Sequence, residues 1–560
     1  MSKLVIDGQE VEFQHGQTII EVARNYGIDI PHFCWHPELS VSGNCRVCLV
    51  EVEKMPKLVI SCATLASEGM VVNTQSEKTI AARNAVMEFI LINHPLDCPI
   101  CDEAGECKLQ DYTNQHSLGE SRFVEEKQHK EKRVPLGPYI MFDAERCIMC
   151  SRCIRFCDEV AKDPEITFIK RGDRVTIVTY PGKEMDNPYA LNTTDICPVG
   201  ALTNRDFRFN ARVWEMSSTN SICVGCSRGC NTEVWVRNNE ILRLTPRFNE
   251  AVNGYWMCDH GRINTWKFVN AEDRVNGPQI RRDGSLVKVG WDEAYSAAAS
   301  ALKSIGKDDI AFIGSPFATN EDNYVFSKFA KSLFSGKHID FIRYTDPQFG
   351  DDILKNSDVT PNSLGAELVG VIPSKTSKNI DGIIEGIASG KIKALYIIED
   401  DLVAAYPELE SVLPKLDLLI VHATNFNKTT NFADVVFPAA AFAEKNGTMV
   451  NFDGVVQRLR PAVATVELDR AMDGMSMSRL DKFGTKFDKW AQGNKRDALP
   501  TWKILTGLAA ALGAKYKYQM SEDVFAELAS AVDAFKGIDY DDIGETGTKI
   551  KNKIAATVKV

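Results

Sequence analysis

Cys147, Cys150, Cys153 and Cys157 stand in a C-x2-C-x2-C-x3-C run, answered later by Cys197-Pro198. Thiolates at this spacing hold cubane iron–sulfur clusters, whose chemistry is electron transfer. In the two-cluster version of the pattern, the first three cysteines bind one cluster and the fourth reaches across to the other. The remaining ligands of that second cluster belong at 193, 190 and 187, where the chain has Thr193, Ala190 and Asn187. One cluster therefore survives, on Cys147, Cys150, Cys153 and Cys197. The other has lost three of its four ligands, and Cys157 reads as a buried small apolar residue.

Three further sets surround this one. Cys34, Cys45, Cys48 and Cys62 form C-x10-C-x2-C-x13-C. Plant-type ferredoxins bind [2Fe–2S] with a shorter first gap. Gly43 and Asn44 belong to a tight loop that turns backbone N–H groups toward the sulfurs. His94, Cys98, Cys101 and Cys107 form H-x3-C-x2-C-x5-C, with no fourth cysteine nearby. An imidazole in place of a thiolate removes one negative charge and raises the reduction potential. Cys223, Cys226, Cys230 and Cys258 form C-x2-C-x3-C-x27-C. A zinc site competes in the first and second of these three sets, and a zinc ribbon in the third. His15, His32, His36, His116 and His129 have no ligand-like spacing.

All sixteen cysteines lie within the first 258 of 560 residues. The start MSKLVIDGQEVEF lacks the apolar run of a signal peptide, and no stretch of 18 apolar residues occurs. Grouped cysteines in a reducing compartment favour metal over disulfides. A net charge of −11 with no long basic run argues against nucleic acid. No residue stands out as a general acid or base, and no catalytic residue is assigned.

The elements that position these ligands follow in order. Leu4–Ile6 and Val11–Phe13 flank Asp7-Gly8 as a hairpin. Thr18–Tyr26 reads as a helix stopped by Gly27, and a β-grasp ferredoxin domain follows from the combination. Lys78–Asn93 is expected to be a helix with one broad buried face (Ile80, Val86, Met87, Phe89, Ile90, Leu91), ended by Pro95. Glu120–Arg133 reads as a linker or exposed arm, and Gly137–Trp214 as a bacterial-ferredoxin-like domain. Thr232–Val236 and Ile241–Leu244 make a ribbon around Asn238-Asn239. Beyond it, the helix Trp291–Ile305 and the apolar runs Ile310–Ile313, Ala394–Ile398 and Leu418–His422 predict a parallel α/β sheet. Its carboxyl-end loops would be Gly314, Glu399-Asp400 and Ala423-Thr424-Asn425. No G-x-G-x-x-G run opens any of these units.

The set ending Cys258-Asp259-His260-Gly261-Arg262, and the runs Phe442–Asn451 and Val456–Arg458, resemble the molybdopterin oxidoreductases. Taken in order, the four sets resemble the family of large iron–sulfur subunits of NADH-quinone oxidoreductase, respiratory complex I. The resemblance is specific over 1–270 and looser over 271–560, where the family is often longer. It implies five domains: 1–78 [2Fe–2S] ferredoxin-like, 79–119 with the one-His/three-Cys cluster, 137–214 ferredoxin-like, 216–272 with a fourth cluster, and 273–560 α/β. It also implies one [2Fe–2S] and three [4Fe–4S] clusters. Electrons would enter at the Cys34 set from a flavoprotein subunit or another donor, continue to the Cys147 set, and leave from the His94 set. Their destination would be a ferredoxin-like [4Fe–4S] subunit, other peripheral-arm subunits and quinone, with proton translocation in membrane subunits. The Cys223 set would lie off this path, and the α/β domain would be a scaffold without molybdenum. The implied location is peripheral, on the cytoplasmic side of the inner (plasma) membrane. Three alternatives remain: a formate-dehydrogenase-like molybdopterin enzyme, an electron-transfer subunit of an NAD-linked hydrogenase, and a zinc scaffold.

Overall fold

The computed structural model describes residues 2–117, 119–373, 379–468 and 493–551. The chain divides into two compact units, Met1–Glu215 and Met216–Val560.

In the first unit, strict alternation builds the opening sheet. Leu4 and Ile6 of strand Ser2–Ile6 and Val11 and Phe13 of strand Gln9–Phe13 point inward and are buried. Between them Asp7 and Gly8 take left-handed backbone, φ 49° and 84°, as a two-residue hairpin turn requires. Across the sheet the strands run Gln9–Phe13, Ser2–Ile6, Val71–Asn73, Leu49–Val52, Val59–Ile60. Ser2–Ile6 and Val71–Asn73 are parallel; the other pairs are antiparallel. Helix Ile19–Asn25 starts where the Thr18 N–H donates to the Glu21 carboxylate (2.7 Å), and its Ile19, Ile20, Val22 and Ala23 join the core of this sheet. This is the β-grasp arrangement.

Helix Glu77–Leu91 follows, started by the Ser76 hydroxyl, which accepts from the Thr79 N–H. Its broad buried face is not realised. Thr79, Arg83 and Met87 are its buried residues, while Phe89 is 72% exposed. At about 100° per residue the three buried positions share one stripe and Phe89 falls on the far side, so the apolar residues ring the helix instead of facing one way. The segment 120–133 is an exposed arm, but a tethered one. Arg122 pairs with Glu88 (2.5 Å), and Lys127 donates to the Leu91 and Ile92 carbonyls (2.8 Å each), serving the open carbonyls of that helix end. A three-stranded sheet (Val134–Pro135, Ile140–Phe142, Leu202–Asn204) and the hairpin Ile166–Ile169/Thr176–Thr179 complete the unit.

The second unit opens with a three-stranded antiparallel sheet, Ser217–Ile222, Asn231–Arg237 and Glu240–Pro246. Its second turn is Asn238-Asn239, both left-handed (φ 53° and 63°). Next comes a seven-stranded sheet in the order Ser285–Lys288, Gln279–Arg282, Val435–Pro438, Leu418–Ala423, Ala394–Ile398, Ile310–Gly314, His338–Phe341. The last five are parallel, and the first two form an antiparallel edge hairpin. Its central strands are buried along their length, with one hydrophobic core on each face, as parallel sheets require. Helix Trp291–Ser304 lays Ala294, Ala298 and Leu302 on one of those cores. Strands Val435–Pro438 and His338–Phe341 are additional to the three apolar runs of the sequence.

Candidate metal centres

The first set sits on loops of the β-grasp sheet. Cys48 precedes strand Leu49–Val52 and Cys62 follows strand Val59–Ile60, so pairing of these strands brings the two sulfurs together. The Cys34 thiol is in hydrogen-bonding contact with Cys45 and Cys62, and Cys48 with Cys62. The Cys34 N–H points at the Cys45 sulfur (3.5 Å), and the Asn44 backbone bonds the Cys34 sulfur. Bonds shared with Cys45 and Cys62 pull the Cys34 pKa down, and those same bonds, with burial, push Cys45 and Cys62 up. Cys48 is lowered to about 7 by Cys62. The four sulfurs are close enough to interact with one another, and a metal group bound to them would replace their protons.

The second set lines one enclosed cavity, walled by Cys147, Cys150, Cys153 and Cys197 together with Arg152 and apolar neighbours such as Phe142. Left-handed backbone at Met149 (φ 57°) and Ser151 (φ 62°) curls the ligand run around this space. Burial pushes the Cys147 thiol up to about 12, and Cys150, Cys153 and Cys197 also rise. Any metal group held here must take the protons off these thiols as it binds. Cys157 is fully buried in the wide helical turn Phe156–Val160, facing Glu165 and Asp163. Where the lost cluster would stand, the buried Asn187 donates to Glu165 (2.5 Å) and Thr193 to the Ala190 carbonyl (2.7 Å).

The third set lies just beyond helix Glu77–Leu91. Cys98 opens the single turn Cys98–Ile100, and Cys107 caps helix Lys108–His116. Cys101 and Cys107 are buried and Cys98 is exposed. His94 Nδ1 is buried with no hydrogen-bond partner, and desolvation lowers the ring's pKa to about 4. A neutral imidazole with a buried, unpartnered nitrogen has the chemistry of a metal ligand. Arg146 acts on both His94 and Cys101. A side chain on Gly200 would place its Cβ 2.4 Å from the Cys101 sulfur, so glycine leaves room for that sulfur. The Pro198 carbonyl accepts from the Lys108 N–H (3.1 Å) and lies 3.9 Å from the Cys107 sulfur. The short stretch from Cys197 to Gly200 therefore carries a second-set sulfur at one end and packs on third-set residues with the rest.

The fourth set belongs to the second unit. Cys223 ends strand Ser217–Ile222, Cys230 precedes strand Asn231–Arg237, and Cys258 caps helix Asp259–Asn264. Gly225 N–H points at the Cys223 sulfur and Gly261 N–H at the Cys258 sulfur, 3.4 Å each. A Cβ on Gly261 would lie 2.8 Å from the Cys223 sulfur, which explains glycine in Cys258-Asp259-His260-Gly261-Arg262. All four thiols are buried, and burial raises each of them, Cys258 to about 12.

Among the described residues, no three His, Cys, Asp or Glu side chains converge as they would on one metal ion. The donor types, the orphaned imidazole nitrogen and the glycine-made clearances fit multi-atom iron–sulfur groups.

The carboxyl-end loops of the seven-stranded sheet meet a cavity of about 350 Å³ whose lining includes Glu399, Thr424, Phe317, His260 and Phe442. Glu444 and Lys445 belong to the run Phe442–Asn451 that resembles the molybdopterin oxidoreductases. Glu444 makes a buried two-bond pair with Arg274 (2.6 and 3.0 Å), and Lys445 is buried between Asp322 (2.8 Å) and Glu399 (2.7 Å). Burial raises the Glu399 carboxyl to about 7, with Lys445 opposing.

Family models match the chain in five successive parts. They are a 2Fe-2S iron-sulfur cluster binding domain (2–77), the NADH-ubiquinone oxidoreductase-G iron-sulfur binding region (83–122), and the ferredoxin-like domain of NADH-quinone oxidoreductase subunit 3 (137–203). The others are the NDSU1/NuoG-like 4Fe-4S domain of NADH-ubiquinone oxidoreductase (216–265) and molybdopterin oxidoreductase (274–371 and 354–470). The G subunit of NADH-quinone oxidoreductase from Rickettsia bellii is 41% identical over 60% of this chain and 48% of its own length. The mitochondrial NADH-ubiquinone oxidoreductase 78 kDa subunit of Neurospora crassa is 42% identical over 54% of this chain and 41% of its own. The chain thus spans about half the length of the curated relatives it matches. Among solved structures, a chain of an NAD+-reducing [NiFe]-hydrogenase in the H2-reduced state is 29% identical, covering 38% of this chain and 91% of that one, with a TM-score of 0.35.

Proposed function

We propose that this chain, a homologue of the large iron–sulfur subunit of NADH-quinone oxidoreductase, is the electron-carrying subunit of such a complex. One [2Fe–2S] cluster on Cys34, Cys45, Cys48 and Cys62 and [4Fe–4S] clusters on the other three sets supply one-electron transfer. The residues that would hold them do the rest. The four-cysteine cavity excludes water, the Cys34 and Asn44 backbone N–H groups stabilise charge on sulfur, and His94 contributes a neutral ligand. No residue moves a proton or forms a bond in this scheme.

One observation carries the reading. The segment Cys197–Pro198–Val199–Gly200 links the second set to the third, with Gly200 against Cys101 and the Pro198 carbonyl near Cys107. Electrons entering at the Cys34 set from a flavoprotein partner would continue to the Cys147 set and leave at the His94 set. The exposure of Cys98, flanked by Leu96 (80% exposed) and Ile100 (64%), supports exit there to a ferredoxin-like partner. No helix among the described residues is long and apolar enough to cross a membrane. Quinone reduction and ion translocation belong, in this proposal, to partner subunits. A peripheral place on the cytoplasmic face belongs to the same proposal. The second unit would be a scaffold: the buried cations beside its cavity, Lys445 and Arg274, are already matched by carboxylates.

Freeze-quench EPR of the assembled complex tests the order of transfer. In Cys147→Ala the [2Fe–2S] signal should still develop with donor, while reduction of the His94 set stalls. Unchanged reduction of the His94 set would contradict the order. The cavity of about 350 Å³ and the molybdopterin oxidoreductase match favour one second reading, a molybdopterin-dependent, formate-dehydrogenase-like catalytic subunit. Stoichiometric molybdenum would decide for it.

A further inference from the structure

Two arginines of the short helix Arg152–Arg155 form a seam between the first and second ligand sets. Arg152 donates from Nη1 to the Ile196 carbonyl (3.0 Å) and from Nη2 to the Trp35 carbonyl (2.5 Å). Ile196 precedes Cys197 and Trp35 follows Cys34. One guanidinium is thus bonded to the chain neighbour of a ligand in each set. It also forms part of the wall of the cavity lined by Cys147, Cys150, Cys153 and Cys197, and its Nε is sealed from solvent without an acceptor. Arg155 repeats the pattern. Its Nη2 reaches the Cys34 carbonyl (2.5 Å) and the Cys150 carbonyl (3.4 Å), its Nη1 the Ser40 carbonyl, and its Nε the Ser151 hydroxyl (3.1 Å). Asn44 closes the seam by donating to the Met149 carbonyl (2.9 Å).

Arginine suits this place because its planar fork holds two acceptors at fixed angles and it stays charged in a dry site. Burial lowers the Arg152 pKa; the opposing groups are the thiols Cys150, Cys197, Cys45 and Cys34, which again come from both sets. Reduction adds one negative charge to a cluster, and a fixed cation in a low-dielectric wall stabilises that charge.

We propose that Arg152 is a positioning residue for electron passage between the Cys34 and Cys147 sets. Its shared charge raises the reduction potential of both clusters, more for the set whose cavity it lines, and its fork fixes the separation of the two ligand loops. The inference rests on the reading that both sets carry iron–sulfur clusters. Losing the charge at one wall lowers both potentials together, whereas a purely structural arginine leaves them in place.

The test is an EPR-monitored redox titration of the full, anaerobically purified chain, with iron measured on every sample. Both cluster signals in the wild type establish the underlying reading, independently of the arginine. In Arg152→Gln, which removes the charge and keeps a donor, the reduced-to-oxidised ratio of the Cys147 cluster at fixed potential should fall about tenfold, equivalent to ~59 mV for one electron. The Cys34 cluster should shift in the same direction by less. Arg152→Lys should hold both within about twofold of wild type. Unchanged potentials in Arg152→Gln, or an equal fall in Arg152→Lys, would overturn the proposal. If Arg152→Gln does not load its iron, pulsed EPR of wild-type chain carrying guanidino-¹⁵N arginine decides. Coupling of ¹⁵N to the reduced Cys147 cluster that persists in Arg155→Lys is expected, and its absence sinks the idea.

Discussion

Replacing Gly200 by alanine is the sharpest probe of how the third ligand set is built. The added Cβ would lie 2.4 Å from the Cys101 sulfur and 2.9 Å from the Glu103 Cβ. Non-bonded contacts of this kind settle at about 3.5–4.0 Å, so the sulfur overlaps the new methyl by more than about 1 Å and the Glu103 Cβ by about 0.6–1.1 Å. Glu103 is on a turn and can yield; Cys101 is buried. Overpacking of a tight site costs about 1–3 kcal/mol, and for a unit of this size each kcal/mol lowers the melting temperature by about 2–4 °C. The sulfur must swing aside or the Cys197–Gly200 segment must lift, and the second course also disturbs Cys197. The expected result is selective loss of the His94-set EPR signal, with iron falling from about 14 to about 10 atoms per chain. The [2Fe–2S] signal should remain. Full iron content, an unshifted spectrum and an unchanged melting temperature would show that Cys101 is not held where the ligand argument needs it.

Other perturbations test other parts. His94→Cys restores a fourth thiolate and should lower the potential of that cluster by roughly the charge effect that distinguishes His from Cys ligation, read by redox titration. Cys157→Ala should keep all iron and every EPR signal; loss of about four iron atoms would make Cys157 a ligand. Glu321 is fully buried, and burial raises its carboxyl from 4.5 to about 7 despite bonds from Thr448 and Tyr540. Because the folded pKa is the higher one, its contribution is fully present below pH 4.5 and is lost as pH rises through about 7. Glu321→Gln should therefore flatten the decline in thermal stability over that window, which amounts to up to about 3 kcal/mol. Lys445→Met leaves Asp322 and Glu399 buried without their cation and should cost about 3–5 kcal/mol in denaturant unfolding of the second unit.

What could be read from the sequence was local. The hairpin at Asp7-Gly8, the helix stop at Gly27 and the Asn238-Asn239 turn were legible because each is specified by neighbouring residues with left-handed backbone. The face of helix Glu77–Leu91 was not, because its apolar residues ring the axis and only packing decides which stripe is covered. Val435–Pro438 and His338–Phe341 are four-residue strands with no alternation strong enough to separate them from loop. Spacing alone marks the cysteines, yet it says nothing of Arg152, whose acceptors Trp35 and Ile196 lie 117 and 44 residues away. The same holds for Lys445, whose partner Asp322 is 123 residues distant. Such side chains come together only through the fold, and no local signal could have found them.

Metal analysis with EPR on the anaerobically purified full chain tests the central claim most directly. The account predicts about 14 iron atoms, one [2Fe–2S] and three [4Fe–4S] signals, and no molybdenum. Stoichiometric molybdenum would contradict it and move the chemistry to the cavity beside Glu399 and Thr424. Zinc in place of iron would leave no path for electrons at all.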